Sequence, residues 1–299
     1  MYRKDNFNFF EKILWKLSRE FLSDRYYSYL SLKRWDSNSP NLQKPQSFNE
    51  KIRYLSLFDR RPIYTFMADK LKSKKIVQSI IDESIITPTL RKWTTAESIS
   101  FEGLPQKFVL KTNHSSGDIF FVENNDIQTL KKAILHFKKA LKKNHYKSGR
   151  EWAYKDINRC VFAEEIFALE KDEIIDYKFF CFNGNPKFIQ VDTSRFKNHK
   201  RDFYDLNWIF LGWEFGYPNS VKKIKKPKGL IKMIEISKKL SKSFPFCRID
   251  LFNIQKDGDV KIRFGEVTFY PEGGSATFKP EELNLRIGGM ISLDDIKNL

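Results

Sequence analysis

Two β-like segments near the C-terminal end of the chain predict a hairpin: CRIDLFNI (247–254) and VKIRFGEVTF (260–269), joined by QKDGD. If the chain reverses around Gly258, Asp250 and Glu266 face each other on one side of the ribbon, where opposed side chains lie roughly 5 Å apart. Two carboxylates at that distance repel by about 3 kcal/mol at an effective dielectric constant near 20. A proton or a cation between them removes this cost, and hard cations such as Mg²⁺ prefer carboxylate oxygens. A register slip of one residue turns a strand over, so two exposed acids that never meet are the alternative.

At 299 residues, 41% of them hydrophobic, and with a mean hydropathy of −0.52, the chain is expected to be a soluble globular protein of one or two domains. No apolar run approaches the ~18–20 residues that span a bilayer. The N-terminal stretch is interrupted by Asp5 and Glu11, so we expect no signal peptide. Cys160, Cys181 and Cys247 form no C-x-x-C pair, which indicates reduced thiols and a cytoplasmic protein.

The formal net charge of +17 indicates an anionic partner. Lysines concentrate in residues 131–147 and 222–228. No recognised nucleic-acid-binding module accompanies them, so we expect no nucleic acid partner. Phosphate-bearing small substrates and the anionic inner face of the cytoplasmic membrane remain as partners. The alternative is that both clusters are solvated helix faces.

Residues 1–36 are aromatic and basic, with Phe10, Ile13 and Phe21 at helical spacing. We expect this segment to be a helix that packs on the main body, and an interfacial membrane helix is the alternative. Ser47 precedes Glu50 by three residues, a capping-box spacing that predicts a helix over EKIRYLSLF.

The rest of the chain mixes short strands with helices. The predicted elements are helices at 62–81, 128–144 and 229–243, strands at 107–111, 119–123 and 160–167, and a hairpin over 176–192 that turns at Asn183-Gly184. Because no regular βαβ repeat is present, we expect an α+β fold with antiparallel sheets.

Lys111 ends a predicted strand and precedes the small-residue loop TNHSSGD. A lysine on a strand is a fixed positive charge, and the backbone N–H groups of such a loop can bind phosphate oxygens. The loop is not a G-x-x-x-x-G-K-[ST] motif, and a strand lysine before a turn also occurs for structural reasons alone. Together with the acidic pair Asp250 and Glu266, lysines on strand and helix segments upstream of it suggest an enzyme that uses Mg-ATP.

Acidic side chains also interrupt the apolar strand FAEEIF (162–167). A strand that leaves a sheet can present its backbone to an adenine edge, with a carboxylate that accepts from the amino group. The alternative is an exposed edge strand.

In combination, the motifs closely resemble the TupA-like branch of the ATP-grasp superfamily, named for teichuronopeptide biosynthesis, over roughly residues 20 to 280. The motifs in chain order are SFNEKIRYLSLFDR (47–60), ADK (68–70), LPQKFVLKTNHSSGD (104–118), CVFAEEIF (160–167), DYKFFCFNGNPKFIQVD (176–192), RFKNHKRDFYD (195–205), FPFCRIDLFN (244–253) and FGEVTFYPEGG (264–274). The resemblance implies an α+β ATP-grasp fold, in which two lobes with antiparallel sheets clamp ATP. We expect an N-terminal helical segment at 1–66 and a catalytic domain at 67–299, with a small lobe at about 85–160 and a C-terminal lobe at about 161–290.

The resemblance also implies roles for individual residues. The ATP-binding residues would be Lys70, Lys111, Ser115, Ser116, Gly117, Glu164, Glu165 and Phe167, with Glu164 beside adenine and the two serines in a mobile loop. The magnesium ligands would be Asp250, Glu266 and Thr268, where Thr268 replaces the asparagine of many ATP-grasp enzymes.

Further cations and glycines are expected to serve the reaction and the second substrate. Lys178 and Arg248 would act with Lys111 in catalysis. The expected substrate-binding residues are Arg195, His199, Lys200, Arg201, Gly273 and Gly274. Arginine forks match carboxylates and phosphates, and a solvent-facing basic loop is the alternative for the four basic residues.

The activity implied is an ATP- and Mg²⁺-dependent carboxylate–amine ligation through an acyl phosphate, in bacterial cell-surface polysaccharide biosynthesis. A glycan kinase on the same fold, a glycosyltransferase and a non-enzymatic binder of anionic surfaces remain open at this point.

Overall fold

The computed structural model describes residues 8–18, 21–34, 39–166, 175–193, 198–220, 223–256, 259–294 and 296. The helices are α1 (Phe9–Ser18), α2 (Asp24–Lys33), α3 (Phe48–Phe58), α4 (Ile63–Ala68), α5 (Lys70–Ile80), α6 (Ile127–Ala140), α7 (His145–Gly149), α8 (Leu230–Ser241) and α9 (Leu283–Gly288). The strands are β1 (Thr89–Trp93), β2 (Phe108–Thr112), β3 (Ile119–Val122), β4 (Val161–Glu164), β5 (Asp176–Phe182), β6 (Asn185–Thr193), β7 (Lys200–Asp205), β8 (Glu214–Phe215), β9 (Phe246–Lys256), β10 (Asp259–Thr268) and β11 (Phe278–Lys279). No helix in these ranges is long and apolar enough to cross a membrane.

The smaller lobe is a four-stranded antiparallel sheet in the order β1-β4-β2-β3, covered by α6. Ala133 and Phe137 of α6 are fully buried in the same apolar cluster as Phe108 and Leu110 of β2. Because β4 pairs with both β1 and β2, residues 161–164 belong to this lobe. The predicted boundary at about residue 160 lies at the start of this strand and stays a prediction.

The larger lobe is a five-stranded antiparallel sheet in the order β10-β9-β5-β6-β7. Alternate side chains of a strand point to opposite faces, and one face packs under α8, where Cys181 lies against the backbone of Ser237. On the other face Phe48 of α3 contacts Phe180 and Phe246. The aromatic side chains on one half of this face pack into the hydrophobic core with α3. The other half of the same face carries charged side chains.

Helix α3 belongs to the larger core and not to a separate N-terminal segment. Phe48, Ile52 and Leu55 are buried in the same cluster as the strands of the larger sheet. The predicted domain boundary at residue 66 therefore divides one packed unit, because α3 covers the aromatic half of the sheet. The capping box that predicts its start is present, with Ser47 and Glu50 bonded reciprocally.

The predicted helix over 62–81 is two helices, α4 and α5, which meet at Asp69. Asp69 has an extended backbone, with φ −72° and ψ 112°, and its carboxylate accepts from the backbone N–H groups of Leu71 and Lys72. An aspartate in this position caps the second helix. The break re-aims α5 so that its first residue, Lys70, enters the cleft between the lobes.

The hairpin formed by β9 and β10 has the register that the sequence predicts, with Asp250 directly opposite Glu266. Its predicted turn at Gly258 lies outside the described residues. A bulge interrupts the pairing between Phe264 and Glu266. A Cβ atom at the intervening Gly265 would lie 3.0 Å from the carbonyl oxygen of Asp250, so a glycine suits this close approach.

Candidate active site

A narrow cleft of about 90 Å³ lies between the two sheets and is lined by lysines and acids. The smaller lobe and α5 contribute the lysines and two acids, Asp118 and Glu164, and the larger sheet contributes three further acids. The lining side chains that carry charge are Lys70, Lys74, Lys111, Asp118, Glu164, Asp176, Asp250 and Glu266. Seven elements or loops distant in the sequence thus place their charges in one cleft.

Glu164 holds two lysines at the base of the cleft. Its carboxylate is buried and accepts from Lys111 Nζ at 2.6 Å, and Lys74 Nζ bonds its other oxygen. Burial by itself raises the pKa of Glu164, but Lys111 and Lys74 lower it below its usual value. Lys74 also donates to the carbonyl oxygen of Thr87 at 2.7 Å. Glu164 is therefore charged and positions two ammonium groups.

Lys74 was not among the predicted residues. It follows Lys70 by four residues on α5, so both side chains lie on the same helix face. That spacing is the signal in the sequence that identifies it.

Lys70 links the loop of the smaller lobe to the larger sheet. Its Nζ donates to the carbonyl oxygen of Ser115 at 2.7 Å and lies 2.9 Å from Glu266 Oε2. Burial by itself raises the pKa of Glu266, but the Lys70 ammonium, then Arg248 and Lys178, lower it to about 2. Glu266 is therefore a carboxylate at every physiological pH.

Asp250 is held by two cations on the same sheet face. Arg248 donates from Nε to Oδ1 and from Nη2 to Oδ2, both at 2.7 Å, and Lys178 Nζ donates to Oδ2 at 2.9 Å. The repulsion expected between Asp250 and Glu266 is thus offset by cations of the chain itself. Thr268 lies opposite Arg248 and accepts a hydrogen bond from it at 3.1 Å.

The donor set of this pair fits a magnesium ion. The carboxyl groups of Asp250 and Glu266 lie opposite each other on one face of the hairpin, and Mg²⁺ takes one or two carboxylates together with phosphate oxygens. Within the described ranges no group of three or more His, Cys, Asp and Glu could hold a metal by itself. Phosphate oxygens and water would therefore have to complete the coordination.

The loop after β2 is anchored at its start and open at its tip. Asn113 donates to Asp69 at 3.1 Å and to the carbonyl oxygen of Asn158 at 3.0 Å. Ser115 is buried and its hydroxyl donates to Asp118, whereas Gly117 is exposed, with φ +84° and nothing within 4 Å of a Cβ at that position. The two predicted serines therefore differ, because Ser115 is held by the protein and Ser116 is exposed.

A second, polar pocket of about 460 Å³ adjoins the cleft, and Ser116 and Glu266 line both. The predicted residues Lys178, His199, Arg201, Arg248, Thr268 and Gly273 line this second pocket, together with Glu151, Tyr154, Tyr270 and Glu272, which the sequence analysis missed. The signal for Glu151, a lone acid between Arg150 and Trp152 in a loop, is too weak to be found without the structure.

Arg201 is a structural centre of the second pocket. Its Nε donates to Asp192 at 2.7 Å, and Nη1 donates to the carbonyl oxygen of Phe215 at 2.7 Å and to Glu272 at 3.1 Å. His199 Nε2 lies 3.4 Å from Asp192. Most donors of Arg201 are therefore engaged by the protein, which leaves it to position Asp192 and Glu272.

Other predicted residues have different surroundings. Lys200 precedes Arg201 on β7, so its side chain points to the opposite sheet face. A Cβ at Gly274 would lie 2.9 Å from Ile52 Cγ2, so Gly274 allows packing on α3. Glu165 is exposed, and its backbone N–H donates to Pro88 at 3.3 Å. Phe167 and Arg195 lie outside the described residues.

The chain matches the family model described as TupA-like ATPgrasp over residues 50–292, which is more than half of its length. No curated protein matches it. Among solved structures it is similar to D-alanine–D-alanine ligase from Bacillus anthracis complexed with ATP (18% identity, TM-score 0.37, 68% of this chain and 54% of that chain). It is also similar to the RimK domain protein ATP-grasp from Sphaerobacter thermophilus DSM 20745 (11% identity, TM-score 0.42, 80% of this chain and 70% of that chain). A third similar structure is the ATP-grasp ligase PsnB complexed with a phosphomimetic variant of its minimal precursor, Mg and ADP (12% identity, TM-score 0.43, 92% of this chain and 68% of that chain). This chain thus spans about half of the length of the D-alanine–D-alanine ligase.

Proposed function

The chain belongs to the TupA-like ATP-grasp family, and we propose that it is an ATP-dependent ligase that joins a carboxylate to an amine. The observation that carries this proposal is the position of Glu266. This carboxylate lines both the lysine-lined cleft and the polar pocket beside it. A phosphoryl group at Glu266 would therefore be within reach of a second substrate.

The cleft supplies the charges that a triphosphate requires. Lys70, Lys74 and Lys111 converge there, where Lys70 pairs with Glu266, and Lys74 and Lys111 share Glu164. When ATP binds, phosphate oxygens would take the place of some of these carboxylate contacts. A volume of about 90 Å³ is below that of a usual ligand pocket, about 300–1,000 Å³. The lobes would therefore separate to admit the nucleotide and close over it.

Asp250 and Glu266 would hold Mg²⁺, which supplies charge neutralisation at the transferred phosphoryl group. Arg248 and Lys178 fix the orientation of Asp250 by their hydrogen bonds. Phosphoryl transfer depends mainly on positioning and charge stabilisation. The charged side chains of the cleft would provide both, and the reaction requires no nucleophilic side chain.

In the proposed reaction an oxygen of the substrate carboxylate attacks the γ-phosphorus of ATP and ADP leaves, which gives an acyl phosphate. The nitrogen of the amine then attacks the carbonyl carbon. The bond from that carbon to the phosphate oxygen breaks, an amide forms, and phosphate carries away one proton of the nitrogen. The polar pocket would hold the substrates of both steps next to Glu266.

The test measures ADP, free phosphate and trapped acyl groups in one assay. The protein is incubated with Mg-ATP, a panel of uronic acids and amino acids, and hydroxylamine, which converts an acyl phosphate to a hydroxamate. Ligation predicts equal amounts of ADP and free phosphate, with hydroxamate formed in step with them. ADP that accumulates with phosphorylated glycan and without free phosphate would instead identify a glycan kinase and refute the ligase.

We also propose that the reaction belongs to cell-surface polysaccharide biosynthesis, of the teichuronopeptide type, in the cytoplasm at the inner membrane face. Support comes from α1, where Phe9 and Phe10 are 80% and 67% exposed beside lysines, in a chain of net charge +17. An anionic lipid surface complements both the aromatic face and the charge. Sedimentation with anionic vesicles and not with neutral ones is expected, and Phe9→Ser with Phe10→Ser should weaken it. Equal sedimentation with both vesicle types would contradict this localisation.

A further inference from the structure

The polar pocket contains a carboxylate, that of Glu151, that forms no ion pair among the residues that the structure describes. Glu151 begins the short helical turn Trp152–Tyr154 and lines the pocket. Its side chain makes no hydrogen bond and no ion pair with any residue that the structure describes. The other acids of this pocket are paired, since Asp192 and Glu272 contact Arg201 and Glu266 contacts Lys70.

The pocket is lined by one more acid than it has lysines and arginines. Three permanent cations, Lys178, Arg201 and Arg248, line it together with four acids, Glu151, Asp192, Glu266 and Glu272. Each of the three cations is within contact of an acid other than Glu151. Arg53 of α3 acts on Glu151 from outside the lining and forms no ion pair with it. Glu151 is therefore the acid of this lining with which a cationic ligand can pair.

Two glycines, Gly149 and Gly273, flank the carboxylate of Glu151. Its Oε1 lies 3.8 Å from where a Cβ would stand at Gly273 and 2.6 Å from where one would stand at Gly149. Two glycines thus keep side chains away from the carboxylate. Tyr270, which is 97% buried and also lines the pocket, has a hydroxyl without an acceptor among the described residues. A ligand in the pocket can accept that hydrogen bond.

The charges of Glu151 and Glu266 act on the same neighbour, Tyr154. Burial raises the pKa of Tyr154 above its usual value, and the charges of Glu151 and Glu266 raise it further. Tyr154 therefore lies in the field of both carboxylates. Because Glu151 and Glu266 line the same pocket, an amine held at Glu151 would share that pocket with an acyl phosphate that forms at Glu266.

We propose that Glu151 binds the ammonium group of the second substrate and accepts one of its protons, which makes the amine nucleophilic. This inference rests on the proposed ligase activity. One proton passes from the ammonium nitrogen to the Glu151 carboxylate. The neutral amine then attacks the acyl phosphate, and the departing phosphate takes the second proton. The ligand class is a primary amine that is protonated in water.

The protonation behaviour of Glu151 agrees with this role. Burial raises its pKa to about 7, Arg53 of α3 opposes the rise, and Glu272 adds to it. The other titratable groups that face this end of the pocket are Tyr154, Tyr270 and His145 of α7. A base near neutral pH is suited to accept a proton and release it again.

The decisive experiment compares two nucleophiles in the Glu151→Gln variant. Hydroxylamine is uncharged at neutral pH and needs no base, whereas an amino acid or amino sugar arrives as an ammonium ion. We expect kcat/KM for the protonated amine to fall about 100-fold or more, while hydroxamate formation stays within about twofold of wild type. Glu151→Asp, which keeps the carboxylate, should recover part of the amide formation. Glu235→Gln, an exposed glutamate on α8, is the matched control.

Two results would overturn the assignment. Amide formation by Glu151→Gln at the wild-type rate would show that Glu151 takes no proton. An equal loss of hydroxamate and amide, in a variant whose melting temperature is unchanged, would place Glu151 in the ATP half-reaction instead. If wild type forms neither product, the proposed ligase activity itself fails.

A binding measurement tests the ammonium site independently of turnover. Calorimetric titrations compare alanine with lactate and glucosamine with glucose, pairs that differ by an ammonium group. We expect the ammonium member of at least one pair to bind wild type about tenfold more tightly than Glu151→Gln, a difference of about 1.4 kcal/mol. No preference for the ammonium member in either pair would refute the site.

Discussion

The Lys70 ammonium lies 2.9 Å from Glu266 Oε2 and ties the start of α5 to the hairpin of the larger sheet. The same Lys70 side chain donates to the carbonyl oxygen of Ser115 in the loop after β2. One lysine thus connects the loop, the helix and the acidic pair. Because the ion pair spans the cleft, any anion that enters must compete with Glu266 for this lysine.

The first prediction concerns the acidic pair. Glu266→Gln keeps the shape of the side chain and removes the charge, and ADP release should fall by about 10²-fold or more because the transferred phosphoryl group loses stabilisation. Chelation of Mg²⁺ by EDTA should stop the wild-type reaction, and added Mg²⁺ should restore it. Asp259→Asn, on an exposed position of the same hairpin, is the control and should behave as wild type. If Glu266→Gln released ADP at the same rate as the control, Glu266 would have no role in phosphoryl transfer.

The second prediction concerns Lys74, the lysine that sequence reasoning missed. A charge-assisted hydrogen bond contributes about 1.5–3 kcal/mol, so Lys74→Met should raise KM for ATP by about 10- to 100-fold. The variant also leaves Glu164 with Lys111 as its remaining lysine. Lys75→Met, one residue along α5 and exposed, is the matched control. KM values that agree between the two variants would show that Lys74 serves only to hold Glu164.

The third prediction is a pH dependence of stability caused by Glu151. Burial raises its pKa from 4.5 to about 7, so the folded protein holds this proton more tightly than the unfolded chain does. The resulting stabilisation is fully present below about pH 4.5 and is lost as the pH rises through 7, with a total of up to about 3 kcal/mol. Urea unfolding at a series of pH values should therefore show a flatter profile in Glu151→Gln than in wild type.

The control for that measurement is Glu235→Gln, which should follow the wild-type curve. Between pH 4.5 and 7 the difference between Glu151→Gln and wild type should move steadily in favour of the variant. A difference that is constant with pH would mean that Glu151 has an ordinary pKa in the folded protein.

The fourth prediction separates packing from backbone conformation at two glycines. Gly274 has φ +61°, and a Cβ there meets Ile52 at 2.9 Å, whereas Gly117 has φ +84° and open space around it. Gly117→Ala should cost about 1–2 kcal/mol for the left-handed backbone alone. Gly274→Ala should cost about 1–3 kcal/mol more because the core must also move. Chemical denaturation measures both, and equal losses would mean that Ile52 yields without cost.

Local sequence patterns predicted the elements on which the site is built. The hairpin over residues 176–192 follows from strands on either side of Asn183-Gly184, and it is present as β5 and β6. The capping box at Ser47 and the register that opposes Asp250 to Glu266 also follow from neighbouring residues. These features depend on backbone preferences and on period-two alternation, both of which are encoded within a few residues.

The sequence by itself therefore determined the antiparallel hairpins, the family and the paired acids. Only the tertiary structure decided which charges meet: Lys70 with Glu266, Lys74 with Glu164, Arg201 with Asp192 and Glu272, and no cation with Glu151 among the described residues. Most of these partners are far apart in the chain, and no local pattern records their distance. Their pairing depends on how the two sheets pack around α5, because the energy of two charges depends on their separation and burial in space.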